Sequence, residues 1–358
     1  VNVYRNIHSS LVHYKTGTML SLFSFPCPTL LFVFCFYRSI DIPSRFNMSL
    51  PVAIVGEGVI GLSTALALFE AVPRVKITIF SDRPVEKICS FGPAGLFRID
   101  NPKYRDIGRI SFDRFSHLYR TRSGDETGIK LLSGTIMSDD KSKLEEQEEA
   151  YGDTVYNFRW LGEREKKDLF PNPAKHAIFF TTFASEANRY MPFLRKEIGK
   201  YDQVEWKSEK IEKLEQLGDK FDVVVNCGGL DAGKLAGDDD TMYPIRGVAL
   251  RIEAPWHKHF YYKDLDTFTI PMNDAVTLGS LKQKGRSDMT ITDEDRRDIW
   301  ERYEKIHPAI KGSKVLYEWI ALRPGRDEIR LESQNRKSNN GKDFMVCFSS
   351  IYIRSKLI

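Results

Sequence analysis

A glycine fingerprint near the start of the chain constrains its fold more than any other feature. The apolar run Val52 to Val55 has the composition of a buried parallel strand, and Gly56, Gly58 and Gly61 follow it as G-x-G-x-x-G. Leu62 to Phe69 continues as a small, apolar segment typical of a helix. The first glycine permits a tight turn, the second lets backbone N–H groups approach a pyrophosphate, and the third allows close packing of helix on strand. Because the helix N-terminus also offers partial positive charge to phosphates, the segment predicts a dinucleotide site.

A second strand and an acidic residue complete this unit. Val75 to Phe80 has the alternating apolar pattern of a strand, and it leads to Asp82. That carboxylate comes about 20 residues after Gly61, at the place where dinucleotide-binding folds hold ribose hydroxyls. The order of strand, helix, strand and acid therefore favours an α/β, Rossmann-like unit over a chance glycine turn.

Length and composition fit a globular protein of two domains. The chain has 358 residues, of which 42% are hydrophobic and 28% charged, and its net charge is +4. So small a charge indicates neither a nucleic-acid partner nor an anionic membrane surface. The five cysteines form no C-x-x-C motif, which argues against a disulfide framework or structural zinc. The pair His257 and His259 lacks a third ligand in the sequence, so no metal site is predicted.

Both ends of the sequence carry segments that do not resemble parts of a globular domain. Thr18 to Tyr37 is an uncharged apolar run about as long as a bilayer core is thick. It has three interpretations: a signal peptide, a membrane anchor, or a segment that is no part of the folded protein. We expect Met48 to be the functional start, which makes residues 1–47 an N-terminal extension. Ser355 to Leu357 resembles a peroxisomal signal, but such a signal must end the chain and Ile358 follows it.

A second glycine turn follows a buried strand in the middle of the chain. Phe221 to Asn226 is apolar enough for such a strand and leads into Gly228 and Gly229. The stretch Gly228 to Lys234 fits G-x-x-x-x-G-K, but Leu235 stands where a phosphate-binding loop needs Ser or Thr for magnesium. A nucleoside triphosphatase is therefore not expected. We interpret the turn as a second approach of backbone to the same dinucleotide.

The pattern then changes from helical to alternating. Tyr104 to Thr121 and Ala187 to Gly199 have helical spacing, and Thr292 caps a further helix that Pro308 ends. Between them lie four short alternating runs that suit antiparallel pairing. These runs are Gly247 to Glu253, Phe260 to Tyr262, Thr267 to Pro271 and Ala275 to Gly279. The sequence thus predicts an α/β fold with a second domain built on a mixed, largely antiparallel sheet.

Several motifs in a fixed order resemble those of a known enzyme family. They are VAIVGEGVIGLSTAL at 52–66, IFSDRP at 79–84, PAGLF at 93–97, DVVVNCGGLDAG at 222–233, PIRGVALRIEAPW at 244–256, VTLGSLKQKG at 276–285 and ALRPGRDEIRLE at 321–332. Over about residues 50–346, the chain resembles the D-amino-acid oxidase and D-aspartate oxidase family of flavoproteins. A set of separate motifs in order is far more specific than the glycine fingerprint alone.

The resemblance implies that the cofactor is FAD rather than NAD. It places the fingerprint glycines at the pyrophosphate, and Asp82 with Arg83 at the adenosine ribose. It also places Ser90 at a phosphate, Gly95 with Leu96 near the flavin ring, and the backbone of Ile211 at the adenine. The implied cofactor-binding residues are Gly56, Gly58, Val59, Ile60, Gly61, Asp82, Arg83, Ser90, Gly95, Leu96, Ile211 and Gly228.

The resemblance also implies the reaction and the residue that binds the substrate carboxylate. A D-amino acid transfers a hydride from Cα to the flavin, the imino acid hydrolyses to a 2-oxo acid and ammonia, and molecular oxygen reoxidises the flavin to give hydrogen peroxide. Arg323, in Ala-Leu-Arg-Pro, would bind the α-carboxylate, because a planar guanidinium holds a carboxylate through two parallel hydrogen bonds. No dedicated general base is needed if the amine enters unprotonated.

The choice between acidic and neutral substrates depends on a second cation. Lys282 lies where the aspartate-specific branch has a basic residue, which favours D-aspartate and D-glutamate, and Lys284 and Arg286 are its neighbours. The alternative is that this run is a solvated turn and that the protein oxidises neutral D-amino acids. Phe268 stands where relatives carry a tyrosine whose hydroxyl helps to bind the substrate, so that hydrogen bond is absent here. Arg323, Lys282 and Phe268 are thus the candidate catalytic residues.

Other departures from the family pattern leave two further alternatives open. Val248 replaces a glutamine, and the family's H-N-Y-G-H-G-G segment does not follow Val346. We therefore regard residues 347–358 as an atypical, truncated C-terminus, and a non-catalytic flavin-binding remnant is one alternative. An NAD-dependent dehydrogenase is another, but it explains neither the strand before Gly228 nor the Arg323 motif.

These motifs divide the middle of the chain into two domains. We assign residues 48–100, 187–240 and 311–346 to a discontinuous FAD-binding domain, and residues 101–186 and 241–310 to a substrate domain. The predicted partners are a D-amino acid and molecular oxygen, with no nucleic acid, and with a membrane only if residues 18–37 are retained. Family resemblance predicts a peroxisomal or cytosolic location, and a genuine N-terminal extension would instead predict secretion or anchoring.

Overall fold

The computed structural model describes residues 49–92 and 94–350. The apolar extension, the start at Met48 and the tripeptide Ser355 to Leu357 lie outside the described residues. Within residues 49–92 and 94–350, none of the helices combines the length and the apolar character that crossing a membrane requires.

The first of two sheets contains the glycine fingerprint. Its strands are β1 (Leu50–Val55), β2 (Val75–Ser81), β7 (Val204–Ser208), β8 (Val223–Asn226), β14 (Arg330–Lys337) and β15 (Asp343–Ser350), in the order β14-β15-β8-β1-β2-β7. All neighbours are parallel except β14 and β15. Residues 52–54 of β1 are fully buried, as the continuous apolar run predicts for a central parallel strand.

The second sheet has nine strands and is largely antiparallel, as predicted. It contains β3 (Ala94–Leu96), β4 (Ile129–Ser138), β5 (Tyr156–Trp160), β6 (His176–Glu186), β9 (Tyr243–Ile252), β10 (Phe260–Lys263), β11 (Thr267–Pro271), β12 (Val276–Lys284) and β13 (Val315–Gly325). Their order is β13-β9-β12-β11-β10-β4-β6-β3, and β5 pairs with β6. Only β4 and β10 run parallel among the pairs of this sheet in the described part of the chain.

Eight α-helices accompany the sheets in the described residues. They are α1 (Val59–Ala71), α2 (Arg105–Thr121), α3 (Gly124–Thr127), α4 (Lys141–Tyr151), α5 (Glu163–Leu169), α6 (Ala187–Ile198), α7 (Ala232–Ala236) and α8 (Asp293–Glu304). The predicted helices at 104–121 and 187–199 are confirmed as α2 and α6 to within one residue at each end. The hydroxyl of Thr292 accepts a hydrogen bond from the Asp295 N–H at 3.2 Å, so the predicted cap of α8 is confirmed.

Sheet membership divides the chain differently from the predicted domain boundaries. β3 lies within the segment 48–100 and β13 lies within the segment 311–346, both of which we assigned to the FAD-binding domain. Both strands are hydrogen-bonded in the nine-stranded sheet instead, β3 to β6 and β13 to β9. The domain assignment itself stays a prediction.

The last described strand carries the chain beyond the predicted end of the family pattern. β15 continues through Cys347 and Phe348, which pair with Val225 and Asn226 of β8 and are buried. Residues 347–350 therefore belong to the first sheet, in which the apolar side chains of Cys347 and Phe348 are buried. Residues 351–358 lie outside the described residues.

Candidate active site

A cavity of about 570 Å³ opens at the carboxyl ends of three parallel strands of the first sheet. Its wall includes Val55 and Gly56 at the end of β1, Ser81 and Asp82 at the end of β2, and Gly228 after β8. In open α/β sheets, ligands bind in the crevice beyond the carboxyl ends of the strands, and the fingerprint turn lies at this point. The position of the cavity therefore agrees with the dinucleotide site that the sequence predicts.

The three fingerprint glycines have the geometry that this role requires. Gly56 adopts φ +109°, and a Cβ there would lie 2.2 Å from the carbonyl oxygen of Cys227. A Cβ on Gly61 would lie 1.9 Å from the carbonyl oxygen of Gly56, so the helix packs directly on the turn. Gly58 is the N-cap of α1 and, like Gly56, lines the cavity. A side chain at Gly56 or Gly61 would thus collide with neighbouring backbone, and the bare turn before the helix N-terminus fits a pyrophosphate.

Two of the predicted cofactor residues are joined at the start of α1. The backbone N–H of Val59 donates a hydrogen bond to the hydroxyl of Ser90 at 3.2 Å, and Ser90, Val59 and Ile60 all line the cavity. Ser90 belongs to the loop that precedes β3, so this bond brings the loop over the fingerprint turn.

The ribose end of the cavity is formed by charged residues that the sequence identified. Arg83 donates to both carboxylate oxygens of Asp82, at 2.7 and 2.6 Å, and this hydrogen-bonded contact lowers the pKa of Asp82 below its usual range. An ionised carboxylate is the form that accepts hydrogen bonds from ribose hydroxyls. Ile211 and Gly228 also line the cavity.

Three of the predicted cofactor residues do not line the cavity. Gly61 is packed against Gly56, as its predicted role requires. Gly95 and Leu96 are buried in β3, where they pair with Ser185 and Ala184 of β6. They lie in the nine-stranded sheet and support the wall, while their neighbour Ala94 contributes to the wall directly.

A smaller cavity adjoins the large one at Arg323. Both cavities are lined by Cys89, Ala94, Ala321 and Arg323. The smaller cavity is otherwise lined by Gly247, Ala249, Phe268, Thr277 and Trp319. Arg323 therefore lies where the dinucleotide site meets a compartment large enough only for a small group, which is the position expected for the substrate.

The guanidinium of Arg323 lies directly over Gly247 of the neighbouring strand. A Cβ on Gly247 would lie 2.0 Å from Nη1, 2.3 Å from Cζ and 2.5 Å from Nη2 of Arg323. Gly247 thus leaves the space that the guanidinium occupies. The sequence analysis did not identify Gly247, although a glycine inside a strand pattern indicates a close approach of another group.

Phe268 forms one wall of the small cavity and is buried. Its ring stacks on Tyr262, with ring centroids 4.9 Å apart and an angle of 20° between the ring planes. A Cβ on Gly279 would lie 2.5 Å from Cζ of Phe268, so the absence of a side chain at Gly279 makes room for this ring. Phe268 is placed near Arg323 as predicted and gives the cavity an apolar wall.

Lys282 is near Arg323, but it lines neither cavity. Its Cα pairs with that of Gly247, so the two residues lie opposite each other across β12 and β9. The ammonium donates a hydrogen bond to the carbonyl of Leu265 at 2.8 Å and lies 3.6 Å from the carboxylate of Asp266. Burial lowers the pKa of Lys282 to about 8, and the charge of Arg98 contributes to this shift. Lys282 is therefore mostly charged at neutral pH, and its strand β12 pairs with β9, which also pairs with the strand β13 that carries Arg323.

Arg251, a residue of the nine-stranded sheet, binds the loop that contains Ser90 and precedes β3. The sequence analysis did not identify it. The residue is buried in β9 and its Nη2 donates a hydrogen bond to the carbonyl of Gly92 at 2.8 Å. A Cβ on Gly92 would lie 1.9 Å from the indole of Trp319, so the loop lies flat against β13. A basic residue inside an otherwise apolar strand was the available signal.

Comparisons with known proteins agree with this geometry. Residues 51–347 match the sequence model of the DAO family, which is described as FAD dependent oxidoreductase. D-aspartate oxidase 1 of Caenorhabditis elegans is 55% identical over 301 residues, which cover 84% of this chain and 90% of that protein. The D-aspartate oxidase of Homo sapiens is 33% identical over 291 residues, covering 79% of this chain and 83% of that protein.

Solved structures show the same fold. The crystal structure of glycine oxidase from Geobacillus kaustophilus matches with a TM-score of 0.69 and 16% sequence identity, and the match covers 84% of this chain and 90% of that chain. An L-alpha-glycerophosphate oxidase from Mycoplasma pneumoniae with FAD bound matches with a TM-score of 0.66 and 15% identity, covering 84% of this chain and 89% of that chain.

Proposed function

The chain belongs to the DAO family of FAD-dependent oxidoreductases, and from this premise we propose that it oxidatively deaminates D-amino acids, preferentially D-aspartate and D-glutamate. The products are a 2-oxo acid, ammonia and hydrogen peroxide. The printed names of its relatives, which are D-aspartate oxidases at 53 to 55% identity, support this substrate class. The observation that carries the proposal is the position of Arg323 between the cofactor cavity and the small cavity.

FAD is the cofactor of this family, and the residues of the large cavity fit it. The turn from Gly56 to Gly61 would hold the pyrophosphate, and Asp82 would hold the adenosine ribose. The loop through Ser90 would cover it from the other side. When bound, FAD accepts a hydride from the substrate Cα and passes the electrons to molecular oxygen, which gives hydrogen peroxide.

Arg323 would fix the substrate through its α-carboxylate. A guanidinium offers two parallel N–H donors, so it sets both the position and the orientation of the carboxylate. Because Arg323 lines both cavities, a carboxylate bound there leaves Cα at the junction between them. Phe268 and Ala249 are buried and would give the substrate an apolar wall at that junction.

The positive charge of the site favours the reactive form of the substrate amine. A nearby cation lowers the pKa of an amine, because it disfavours a second positive charge. Arg323 and Lys282 both act in this direction. We propose that the amine enters unprotonated, so that no dedicated general base is required.

Lys282 would recognise the distal carboxylate of an acidic substrate. It lies opposite Gly247, over which the guanidinium of Arg323 is placed, so the two cations occupy neighbouring positions on one face of the sheet. A dicarboxylate would offer a better partner than the Leu265 carbonyl, which the ammonium contacts now. This exchange would raise the pKa of Lys282 again.

The test compares acidic and neutral substrates in Lys282 variants. We expect the purified protein to be yellow and to release hydrogen peroxide with D-aspartate in air. Lys282→Ala should lower kcat/KM for D-aspartate by about tenfold to a hundredfold, since a charged hydrogen bond contributes about 1.5–3 kcal/mol, and should leave D-alanine nearly unchanged. Lys284→Ala is the matched control, because that side chain is 64% exposed.

The pH dependence provides a second readout. With the pKa of Lys282 at about 8, the ratio of kcat/KM for D-aspartate to that for D-alanine should fall above that pH as the ammonium loses its proton. Lys282→Arg should remove this fall, because arginine stays charged. Equal losses on both substrates in Lys282→Ala would show that Lys282 is structural.

Oxidation of neutral D-amino acids is the second candidate function. It is favoured by the apolar lining of the small cavity, in which Phe268, Ala249, Ala321 and Trp319 surround Arg323. In that case D-alanine or D-methionine would be the better substrate. A yellow protein that releases no peroxide with either class would instead support the non-catalytic alternative.

A further inference from the structure

The fingerprint turn carries a carboxylate where a pyrophosphate is expected. Glu57 stands between Gly56 and Gly58, its side chain is 7% exposed, and it lines the large cavity. A carboxylate in this position repels a phosphate unless another charge compensates it, because both groups are negative. The two positions around it are glycine, so the backbone cradle itself offers no positive side chain.

The compensating charge comes from helix α6. Nη1 of Arg195 lies 2.9 Å from Oε1 of Glu57. The guanidinium also lies over the indole of Trp206 in β7, 4.7 Å from the ring centroid. Arg195 is thereby held between the fingerprint turn and the edge of the first sheet, although its side chain is 40% exposed.

Other groups around Glu57 do not replace Arg195. Burial raises the pKa of Glu57, and the carboxylate of Glu86 raises it further. Arg195 and a hydrogen bond to the side chain of Ser81 lower it. Ser81 carries no charge, so Arg195 is the group among these that can cancel the charge of the carboxylate.

We propose that Arg195 is a positioning residue for the cofactor, which neutralises Glu57 and so allows the fingerprint turn to accept the pyrophosphate of FAD. The ion pair also fixes the Glu57 side chain toward α6 and away from the phosphates. The inference depends on the cofactor assignment of the proposed function and is independent of the substrate class.

The test is a double-mutant cycle read out by FAD affinity of the apoprotein, measured by equilibrium dialysis. Arg195→Gln should weaken FAD binding by about tenfold, in line with the interaction of close charges near a protein surface. Glu57→Gln should bind FAD as tightly as the parent or more tightly. The double variant Glu57→Gln with Arg195→Gln should regain the affinity of Glu57→Gln.

Two controls separate a charge effect from a general loss of structure. Arg114→Gln breaks a pair with Glu70 near the other end of α1, and it should leave FAD affinity unchanged. The affinity for ADP, measured by competition with FAD, should change across the variants as the affinity for FAD does. The affinity for adenosine, which has no pyrophosphate, should not change.

The outcomes decide between a charge-neutralising and a structural role. If the double variant binds FAD as weakly as Arg195→Gln, or if Glu57→Gln also weakens binding, the pair is structural and the proposal is wrong. Absence of D-amino-acid turnover would overturn the proposed function and leave this binding result intact, so the two failures are distinguishable.

Discussion

Adding one methyl group at Gly247 should disable substrate binding without disturbing the cofactor. A Cβ at this position would lie 2.0 Å from Nη1 of Arg323, whereas ordinary contacts begin at 3.4 Å. The guanidinium must therefore move by about 1.4 Å. Because Arg323 is the end of a flexible side chain, we expect it to rotate away while the backbone stays in register.

The magnitude follows from the requirement for orientation at the reacting carbon. A misplacement of about 1 Å can cost about 100-fold in rate, so Gly247→Ala should lower kcat/KM for every D-amino acid by roughly that factor. The value of kcat/KM should fall by the same factor for acidic and for neutral substrates, because both bind Arg323 through the α-carboxylate. The affinity for FAD should change little, since Gly247 itself lines only the small cavity and Arg323 is not among the predicted cofactor-binding residues.

Steady-state kinetics with peroxide detection and equilibrium dialysis with FAD would measure the two quantities. Gly162→Ala is a suitable control, because a Cβ there has its nearest contact at 3.9 Å from Glu165. Turnover of Gly247→Ala within about twofold of the parent would refute the placement of Arg323 as the carboxylate-binding residue. If the affinity for FAD fell together with kcat/KM, the added methyl group would be disturbing the fold instead.

Two further predictions concern Arg323 and the buried histidine of the nine-stranded sheet. Arg323→Lys should lower kcat/KM by far more than a charge-conserving change on the surface would, because lysine lacks the paired donors, and kinetics within about twofold of the parent would contradict this. His257, which is 4% exposed and bonded to Thr269 at 2.8 Å, has its pKa lowered to about 4 by burial. Between pH 6.5 and 4 the unfolded chain therefore binds a proton that the folded protein does not. Stability should fall with falling pH, by on the order of 3 kcal/mol from this residue, and denaturant unfolding of His257→Gln should show a smaller difference between pH 7 and pH 4. An unchanged difference would assign the acid sensitivity to other groups.

The dinucleotide turn could be predicted from sequence because its chemistry is local. Gly56 adopts a positive φ and Gly61 packs directly on the Gly56 carbonyl, and both requirements act over a few residues. The strand before them and the helix after them follow from a short apolar pattern. The structure confirms these elements, together with the cap at Thr292.

The substrate side depended on tertiary structure, because strands distant in sequence form it. Arg323 lies over Gly247 only because β13 pairs with β9 in one particular register. The same kind of long-range pairing places β3 and β13 in the nine-stranded sheet, and local patterns do not determine the partner of a strand.

Charge partners depended on tertiary structure for the same reason. The sequence identified Lys282 as a cation, but its contact with the Leu265 carbonyl comes from the pairing of β12 with its neighbours. Glu57 could be seen within the fingerprint, yet only the packing of α6 beside the turn brings Arg195 within 2.9 Å of it. Residue type thus determines what a group can do chemically, whereas the packing of distant elements determines which group it meets.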